Sequence, residues 1–312
     1  MKGLLLFIFY FSLSFTTLAG NDSIRKVHPY MNLRDSSEIM HRRTTTIEIA
    51  GGAVYLGTLL ALYNIKYKDN LQSRFKINTV KDDWRMGMDA NHHTIGSYYI
   101  GRMSYKLLRW AGTSEQRAAW IGGLSGFFML TSQEVFDGFD SKWCASTSDV
   151  ASNALGSALF ISQQLIWHNQ KIVLKWSYHP TSFPNQNPDL LGSTSVQKMI
   201  KDYNGQTFWL SANLKSFSQK DLHIPCWLNI AMGLGVTGMT GPVNNTPLYR
   251  SYPIDGFKTQ RLFYIAPDID LTRLRIRSAT LKWIFEAIGV LKFPMPALQI
   301  SGQKVKFKPL YF

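Results

Sequence analysis

Six candidate side chains between residues 89 and 153 have types that general acid–base chemistry uses, and we select from this range one imidazole, four carboxylates and one amide. They are His93, Asp89, Glu134, Asp137, Asp149 and Asn153. An imidazole titrates near neutral pH and can take or give a proton, while a neighbouring carboxylate can orient the ring or act as the partner acid. The sequence therefore predicts a catalytic cluster in which His93 is the general base or acid and Asp89 orients it.

Four predicted helices must bring these side chains together. They span residues 45–66, 92–110, 113–138 and 146–168. Capping patterns open three of them, at residues 45–48, 113–116 and 146–149. The same three helices contain uncharged runs of 16 to 19 residues, close to the about 20 that a bilayer span needs. A water-soluble bundle and a membrane-embedded one both stay open at this point.

Spacing within the helices places the candidates in pairs. Asp89 and His93 are four residues apart, so they share one helix face. Glu134 and Asp137 lie in the last turn of the third helix, where the helix dipole disfavours carboxylates by about 0.3–1 kcal/mol. Because positions that break a local rule are often functional, this pair favours a site.

Structural roles would explain the same residues. Asp89 would then cap the second helix, and Asp149 would pair with Ser146 in a capping box. Asn153 would form a hydrogen bond across a tight helix crossing, and His93 would be a core histidine. Small residues four apart, at positions 122 and 126 and at 152 and 156, predict that helix backbones approach closely.

Motifs for cofactors and metals are weak. Residues 233–238 fit the dinucleotide pattern literally, but Gly241 and Pro242 follow where a helix must open. No Gly-x-Ser-x-Gly elbow and no zinc-ligand spacing occur in the sequence. We therefore expect no cofactor, no nucleotide and no metal, although a hard cation held by the four carboxylates stays an alternative.

Three segments that carry the candidates resemble a known family. Residues 88–93, 133–138 and 146–156 are similar, in this order, to the Asp-Lys-x-x-His, Lys-Glu-x-x-Asp and Ser-x-x-Asp elements of the YfiM-like family. That family is a domain of unknown function described for periplasmic lipoproteins. The resemblance covers about residues 80–170, and a longer form in Bacteroidetes-type bacteria has tails similar to the remainder. The order of acids and histidine is also similar, more weakly, to VanZ-like membrane proteins.

Two departures from the family pattern bear on mechanism. Ala90 and Gln133 stand where the family has lysines, and no lipidated cysteine follows the N-terminal segment. Any mechanism that needs those lysines is therefore in doubt. The resemblance implies a site but carries no established activity.

The N-terminus and the cysteines indicate the compartment. Residues 1–19 have the charge, apolar run and small residues of a secretory signal peptide, with a first transmembrane helix as the alternative. Cys144 and Cys226 would pair in an oxidising envelope or stay two separate thiols. The chain is therefore expected to be exported, to the periplasm or the outer membrane, with membrane embedding open.

The remaining chain divides into regions that differ in composition and hydrophobic pattern. A polar lead-in covers residues 20–44, a helical domain residues 45–176 and a Pro-rich linker residues 177–198. Residues 199–312 predict a basic β-rich region, with strands over residues 206–217, 227–239, 261–270 and 304–312 and one amphipathic helix over residues 271–292. The expected fold class is α+β, with an N-terminal bundle of about four helices followed by this β-rich region.

Composition and charge point to the kind of partner. Charged residues make up 17% and hydrophobic ones 45%, which excludes a disordered chain and a coiled coil. The net charge is +14, and residues 175–312 hold 16 basic against 7 acidic residues. We expect an anionic lipid or envelope component as partner and no nucleic acid. The expected function is a non-enzymatic role at a membrane surface; the alternative is a lipid or cell-wall hydrolase or transferase.

Overall fold

The computed structural model describes residues 33–79, 86–218, 223–240 and 259–312. The chain divides into two compact units, one of residues 1–80 and 92–170 and the other of residues 81–91 and 171–312. Long helices make up most of the first unit and an antiparallel sheet most of the second, so the predicted α+β class is confirmed. The predicted signal peptide at residues 1–19 lies outside the described residues.

Four long helices lie in the first part of the chain. They are α1 (Leu33–Leu62), α2 (Met88–Trp110), α3 (Glu115–Gly138) and α4 (Thr147–Trp167). Helix α1 begins within the predicted polar lead-in and continues into a π-helical turn over Tyr63–Tyr67. The cap predicted at Thr45 and Glu48 is therefore wrong, because both residues lie inside a continuous helix.

The starts of α3 and α4 differ in their capping. The Oγ atom of Ser146 accepts a hydrogen bond from the backbone N–H of Asp149 at 3.3 Å, so the predicted cap of α4 is confirmed. The N-cap of α3 is Ser114, whose side chain makes no capping bond. Thr113 is buried, and its Oγ1 has no hydrogen-bond partner among the described residues. The predicted pairing of Thr113 with Gln116 is therefore wrong.

A small parallel pair of strands fixes the chain before α4. Strand β1 (Ile77–Asn78) pairs with β2 (Ala145–Ser146), with Asn78 opposite Ser146. This pairing holds the backbone of Ser146 beside the end of α3, where its N–H reaches Glu134.

Glycines let α2 lie close against α3 and α4. A Cβ atom at Gly126 would lie 2.1 Å from the carbonyl oxygen of Ser97, and one at Gly156 would lie 2.2 Å from that of Thr94. Both positions therefore need glycine, and the predicted close approach of backbones is confirmed there. Ser97 strengthens the crossing, because its Oγ lies 2.8 Å from the Oγ of Ser157.

Helix α1 exposes much of its apolar surface. The segment His41–Tyr67 is long and apolar enough to cross a membrane. Over an 18-residue stretch of it the mean hydropathy is 1.4, and none of that stretch is buried. In the part of the chain that the structure describes, no other helix is long and apolar enough to cross a membrane. The helix is compatible with a signal sequence or a membrane anchor.

The second unit is built on one six-stranded antiparallel sheet in which each strand pairs with the next along the chain. The strands are β3 (Ile172–Tyr178), β4 (Gln206–Asn213), β5 (Leu228–Thr237), β6 (Gln260–Ile269), β7 (Met295–Ser301) and β8 (Lys304–Tyr311). Thr207 of β4 and Tyr311 of β8 are hydrogen-bonded at 2.9 Å between their hydroxyl groups, although β5, β6 and β7 lie between these strands. The sheet therefore curls around an inner face.

The inner face of the sheet holds the core of this unit. A buried cluster there consists of Trp209, Ala231, Leu262, Tyr264, Ala266, Ala297 and Tyr311. The chain before β7 also bonds β3, since the N–H of Trp176 donates to the carbonyl of Val290 at 2.7 Å and the N–H of Lys292 donates to that of Trp176 at 2.9 Å.

Strand positions differ from prediction in two places. The four predicted strands are present, three with shorter bounds and the one predicted over residues 261–270 shifted by one residue, but β3 and β7 were not predicted. Strand β3 covers the end of the predicted helical domain and the start of the predicted linker at residues 177–198. The rest of that linker contains the short helices α5 (Pro188–Leu191) and α6 (Ser195–Lys201). Pro188 opens α5 instead of breaking structure, because proline fits the first helical position.

Two predicted elements of the β-rich region are shorter than expected. The first predicted strand, over residues 206–217, ends in the short helix α7 (Leu214–Phe217). The amphipathic helix predicted over residues 271–292 is reduced to α8 (Ala279–Ile288), which a separate 3₁₀ turn at Leu271–Arg273 precedes.

The two cysteines are free thiols in the structure. Cys144 is exposed, and Cys226 is half-buried with its Sγ 3.4 Å from the carbonyl oxygen of Arg273. The sequence leaves open a disulfide or two separate thiols, and the structure has separate thiols.

Candidate functional site

His93 lies in the second turn of α2, where carboxylates from α3 and α4 approach its ring. The Nε2 atom is 3.6 Å from Oε1 of Glu134 and 3.9 Å from Oδ2 of Asp149. The three side chains are only 12%, 4% and 12% exposed, so their charges interact in a largely dry environment. The structure thus brings the imidazole together with two of the four candidate carboxylates.

The other ring nitrogen of His93 fixes its orientation. The Nδ1 atom lies 3.0 Å from Oδ1 of Asn153, whose Nδ2 faces Oγ1 of Thr131 at 3.4 Å. Because the amide oxygen only accepts, this arrangement assigns the hydrogen to Nδ1. The Nε2 atom then faces the two carboxylates. We call His93, Glu134, Asp149 and Asn153 the His93 cluster.

Glu134 is the most buried acid of the cluster. Its Oε2 accepts a hydrogen bond from the backbone N–H of Ser146 at 3.0 Å. Burial raises the pKa of Glu134 to about 7; His93 and the Ser146 bond oppose this rise, while Asp149 and Asp137 add to it. The carboxyl group of Glu134 is therefore protonated in part near neutral pH.

Asp149 lies in the capped first turn of α4 and also faces the ring of His93. It lies in the first turn of α4, where its N–H is capped by Ser146 and the helix dipole favours a negative charge. Its carboxylate also faces Nε2 of His93. The capping role and the cluster role are therefore compatible.

Asp137 is engaged with other residues of the first unit. Its Oδ1 accepts hydrogen bonds from Nζ of Lys66 at 2.5 Å and from the hydroxyl of Tyr67 at 2.8 Å. The cation offsets the unfavourable end of the α3 dipole and ties the π-helical turn to α3. This carboxylate thus has a structural ion pair, and its role as a partner acid stays a prediction.

Asp89 lies in the first turn of α2, and the boundary between the two compact units falls between Asn91 and His92. Within the second unit the hydroxyl of Tyr203 donates to Oδ1 of Asp89 at 3.2 Å. Asp89 is a first-turn residue rather than the cap that the sequence left open. Its role in orienting His93 stays a prediction.

The His93 cluster has the donor types that a divalent cation accepts. One imidazole nitrogen and two carboxylate groups converge, from His93, Glu134 and Asp149. The carboxylates must be ionised to bind metal, which the burial of Glu134 disfavours. The expectations of no metal and no cofactor stay predictions.

Sequence reasoning missed three partners of the cluster. The N–H of Ser146 is a backbone group and leaves no signal in the residue type. Thr131 precedes Glu134 by one helical turn, so its spacing was a usable signal. Lys66, the partner of Asp137, is remote in the sequence and could be found only from the structure.

Comparison with protein-family models, with curated proteins and with solved structures gives no significant match for this chain. The resemblance to the YfiM-like family therefore stays a prediction that rests on the three quoted segments.

Changing Glu134 to Gln is expected to remove a pH dependence of stability. The pKa of Glu134 is about 7 in the folded chain and about 4.3 when unfolded. Between these values the folded state binds more protons, so the free energy of unfolding falls as pH rises, by up to about 3 kcal/mol. Urea unfolding followed by circular dichroism at about pH 5 and about pH 8 should show a smaller fall for Glu134→Gln than for the wild type.

Glu115→Gln is the matched control for this prediction. Hydrogen bonds from Gln164 and His168 lower the pKa of Glu115, so its contribution is lost only under more acidic conditions and does not change between these two pH values. Equal falls for the wild type and Glu134→Gln would contradict the assignment of a raised pKa.

Proposed function

We propose that this chain is a non-enzymatic, membrane-associated protein of the cell envelope that contacts lipid through one face of its β-sheet. The observation that carries the proposal is the sidedness of that sheet. Large apolar side chains cover the outside, where a sheet that faces water is polar. The inside combines the aromatic core around Trp209 with buried charged and amide side chains.

The outer face exposes large apolar side chains on five strands. We define the outer face as Leu210, Ile230, Met232, Phe263, Ile265, Leu298, Val305 and Phe307, which are between 37% and 65% exposed. Contiguous apolar surface of this kind marks contact with a protein or a membrane. An outward apolar band is also what strands show toward lipid.

The inner face carries polar groups that water-soluble sheets keep outside. Nζ of Lys175 lies 2.7 Å from Oδ2 of Asp268, and these side chains are 1% and 0% exposed. Ser211 donates to the same carboxylate oxygen at 2.6 Å, and Nδ2 of Asn213 donates to Oδ1 of Asn229 at 2.7 Å. Buried polar groups inside and apolar groups outside favour lipid as the occupant of the outer face.

A shallow groove on the outer face suits an acyl chain. It has a volume of about 410 Å³, and Ile230, Ile265, Leu298 and Phe307 line it together with neighbouring apolar residues. A hydrocarbon chain would bury this surface without leaving a polar partner unpaired.

Charge supports an anionic membrane. The excess of basic residues in residues 175–312 attracts anionic headgroups by about 1 kcal/mol for each residue near the surface. The proposal retains the predicted signal peptide, the periplasmic or outer-membrane location and the bundle of about four helices. In it the His93 cluster joins α2, α3 and α4.

Carbonate extraction and detergent phase partition of the full chain test the proposal. We expect the chain to stay with the membrane pellet and to enter the detergent phase. Complete release into the aqueous phase in both experiments would end the membrane proposal.

Acid–base catalysis on a lipid or cell-wall intermediate is the second candidate function. It is favoured by the position of Nε2 of His93 between Glu134 and Asp149, together with the pKa of Glu134 near 7. His93 would be the general base or acid and Glu134 the partner acid, with Asn153 holding the ring.

His93→Ala separates the two roles of the cluster. Under the packing role we expect the free energy of unfolding to fall by about 1–3 kcal/mol, because buried acceptors lose their partner. Under the catalytic role folding should stay largely intact. Thermal unfolding by circular dichroism measures the difference, with His41→Ala on the exposed part of α1 as the control for loss of an imidazole. A stability equal to that of the control would contradict the packing role.

A further inference from the structure

An open cavity of about 580 Å³ lies on the inner face of the sheet. Its lining includes Lys304, Lys306, Lys308, His179, Tyr264 and Tyr311. None of the described residues that line it is an Asp or a Glu. The described lining is therefore positively charged, and the cavity lies on the opposite face of the sheet from the apolar outer face.

The three lysines form a regular row on β8. They occupy alternate positions, so their side chains share one face of the strand and lie about 6–7 Å from one to the next. Lys304 and Lys306 are exposed, and Lys308 is half-buried. None of the three forms an ion pair with any residue in the described ranges. Like charges held in a row repel each other, so an anion placed between them would be stabilised by all three.

Aromatic rings form one wall of the cavity. The rings of Tyr264 and Tyr311 stack with centroids 4.4 Å apart, and the ring of His179 lies 5.2 Å from that of Tyr311. Tyr264 and Tyr311 are only 2% and 6% exposed, so this wall meets a sugar ring over a small apolar area. Gln260 and Gln299 add amide groups that can bond ligand hydroxyls.

His179 has an unsatisfied polar atom. Its Nδ1 is buried and has no hydrogen-bond partner within the described part of the chain. Burial lowers the pKa of His179; Asp202 opposes this shift and Lys308 adds to it. The ring is therefore a neutral hydrogen-bonding group at pH 7, and the positive charge of Lys308 helps to keep it neutral.

Asp202 is the acid that acts electrostatically on this region, and its carboxylate is already engaged. Oδ2 accepts from the hydroxyl of Thr181 at 2.5 Å, and Oδ1 accepts from the N–H and the side-chain amide of Asn204. Its oxygens thus hold the loop in place through hydrogen bonds with Thr181 and Asn204.

We propose that this cavity binds a phosphorylated, hydroxyl-rich ligand of the sugar-phosphate class. The lysine row receives the phosphate groups, the aromatic wall receives the ring, and the amides bond the hydroxyls. The ligand is either a free sugar phosphate or the headgroup of a phosphorylated lipid, since both present the same chemistry. The proposal does not rest on lipid contact by the outer face.

Isothermal titration of the full chain with glucose 1,6-bisphosphate tests the proposal, with glucose as the uncharged probe. The variant Lys304→Gln/Lys306→Gln/Lys308→Gln should bind the bisphosphate at least about tenfold more weakly than the wild type. The control variant Lys198→Gln/Lys201→Gln/Lys215→Gln removes the same charge from outside the cavity lining and should bind as the wild type does. Circular dichroism confirms that both variants are folded.

Three results would overturn the proposal: no binding of the bisphosphate by the wild type at millimolar concentration, equal weakening in both variants, or equal binding of glucose. Vesicles of phosphatidylglycerol identify the source of the ligand. Weaker vesicle binding by the β8 variant alone supports a lipid headgroup, whereas unchanged vesicle binding together with lost bisphosphate binding supports a free sugar phosphate.

Discussion

Replacing Met232, Phe263 and Phe307 together by Gln is expected to weaken binding of the chain to phospholipid vesicles about 100-fold. The three side chains are 58%, 51% and 63% exposed, so contact with lipid removes roughly half of each from water. Full burial of such a side chain contributes about 1.5–3 kcal/mol. Half of that for three residues is about 3 kcal/mol, which corresponds to about a 100-fold change in affinity. Flotation of the protein with vesicles on a density gradient measures this change.

Val196→Gln is the matched control for the outer face. Val196 is 62% exposed but lies on α6, away from the sheet strands. Its replacement should leave vesicle binding within about threefold of the wild type. The neutral Gln keeps the net charge, so a change in electrostatic attraction cannot explain the result. Equal binding by the wild type and the triple variant would show that the outer face does not contact lipid.

Asp268→Ala is expected to lower the free energy of unfolding by about 3–5 kcal/mol. The substitution leaves the ammonium of Lys175 buried at 1% exposure without its carboxylate, and removal of one partner of a buried ion pair costs about this much. It also removes the acceptor of the Ser211 hydroxyl. Urea unfolding followed by tryptophan fluorescence, which reports on Trp209 in the inner core, measures the loss.

Two further variants test the cause of that loss. Asp268→Asn keeps an acceptor for Ser211 but not the charge, so it should be destabilised nearly as much as Asp268→Ala. The pair Lys175→Met/Asp268→Leu removes both charges and should recover most of the stability, because an apolar pair can replace a buried ion pair at little cost. A loss below about 1 kcal/mol for Asp268→Ala would contradict a buried, charged inner face.

The helical part of the fold followed from local patterns in the sequence. The cap at Ser146 and the glycines at positions 126 and 156 depend on neighbours within one helix or one crossing, so their residue types carry the signal. The convergence of Glu134 and Asp149 on His93 did not follow from local patterns, because the helix order alone does not bring the end of α3 and the starts of α2 and α4 together. The partner of Asp137 did not either, because Lys66 lies on another helix and no local spacing relates the two.

The sheet was less predictable for a physical reason. Alternation with a period of two indicates that a strand has an apolar and a polar face, but it is the same whether the apolar face points inward or outward. The charged Lys175 in the middle of β3 does not fit an apolar core strand, and only the structure shows that the carboxylate of Asp268 lies beside it. The outward position of the apolar face, which carries the proposed function, therefore could not be predicted from the sequence.

Fluorescence from neighbouring residues of β7 tests the membrane contact most directly. Leu298 lies on the outer face, and Gln299 lines the cavity of the inner face. An environment-sensitive fluorophore is attached at Leu298→Cys or Gln299→Cys after Cys144 and Cys226 are replaced by Ser, and emission is compared with and without anionic vesicles. We expect a blue shift for the label at position 298 and little change for the label at position 299. No shift at position 298, or equal shifts at both positions, would contradict contact of the outer face with lipid.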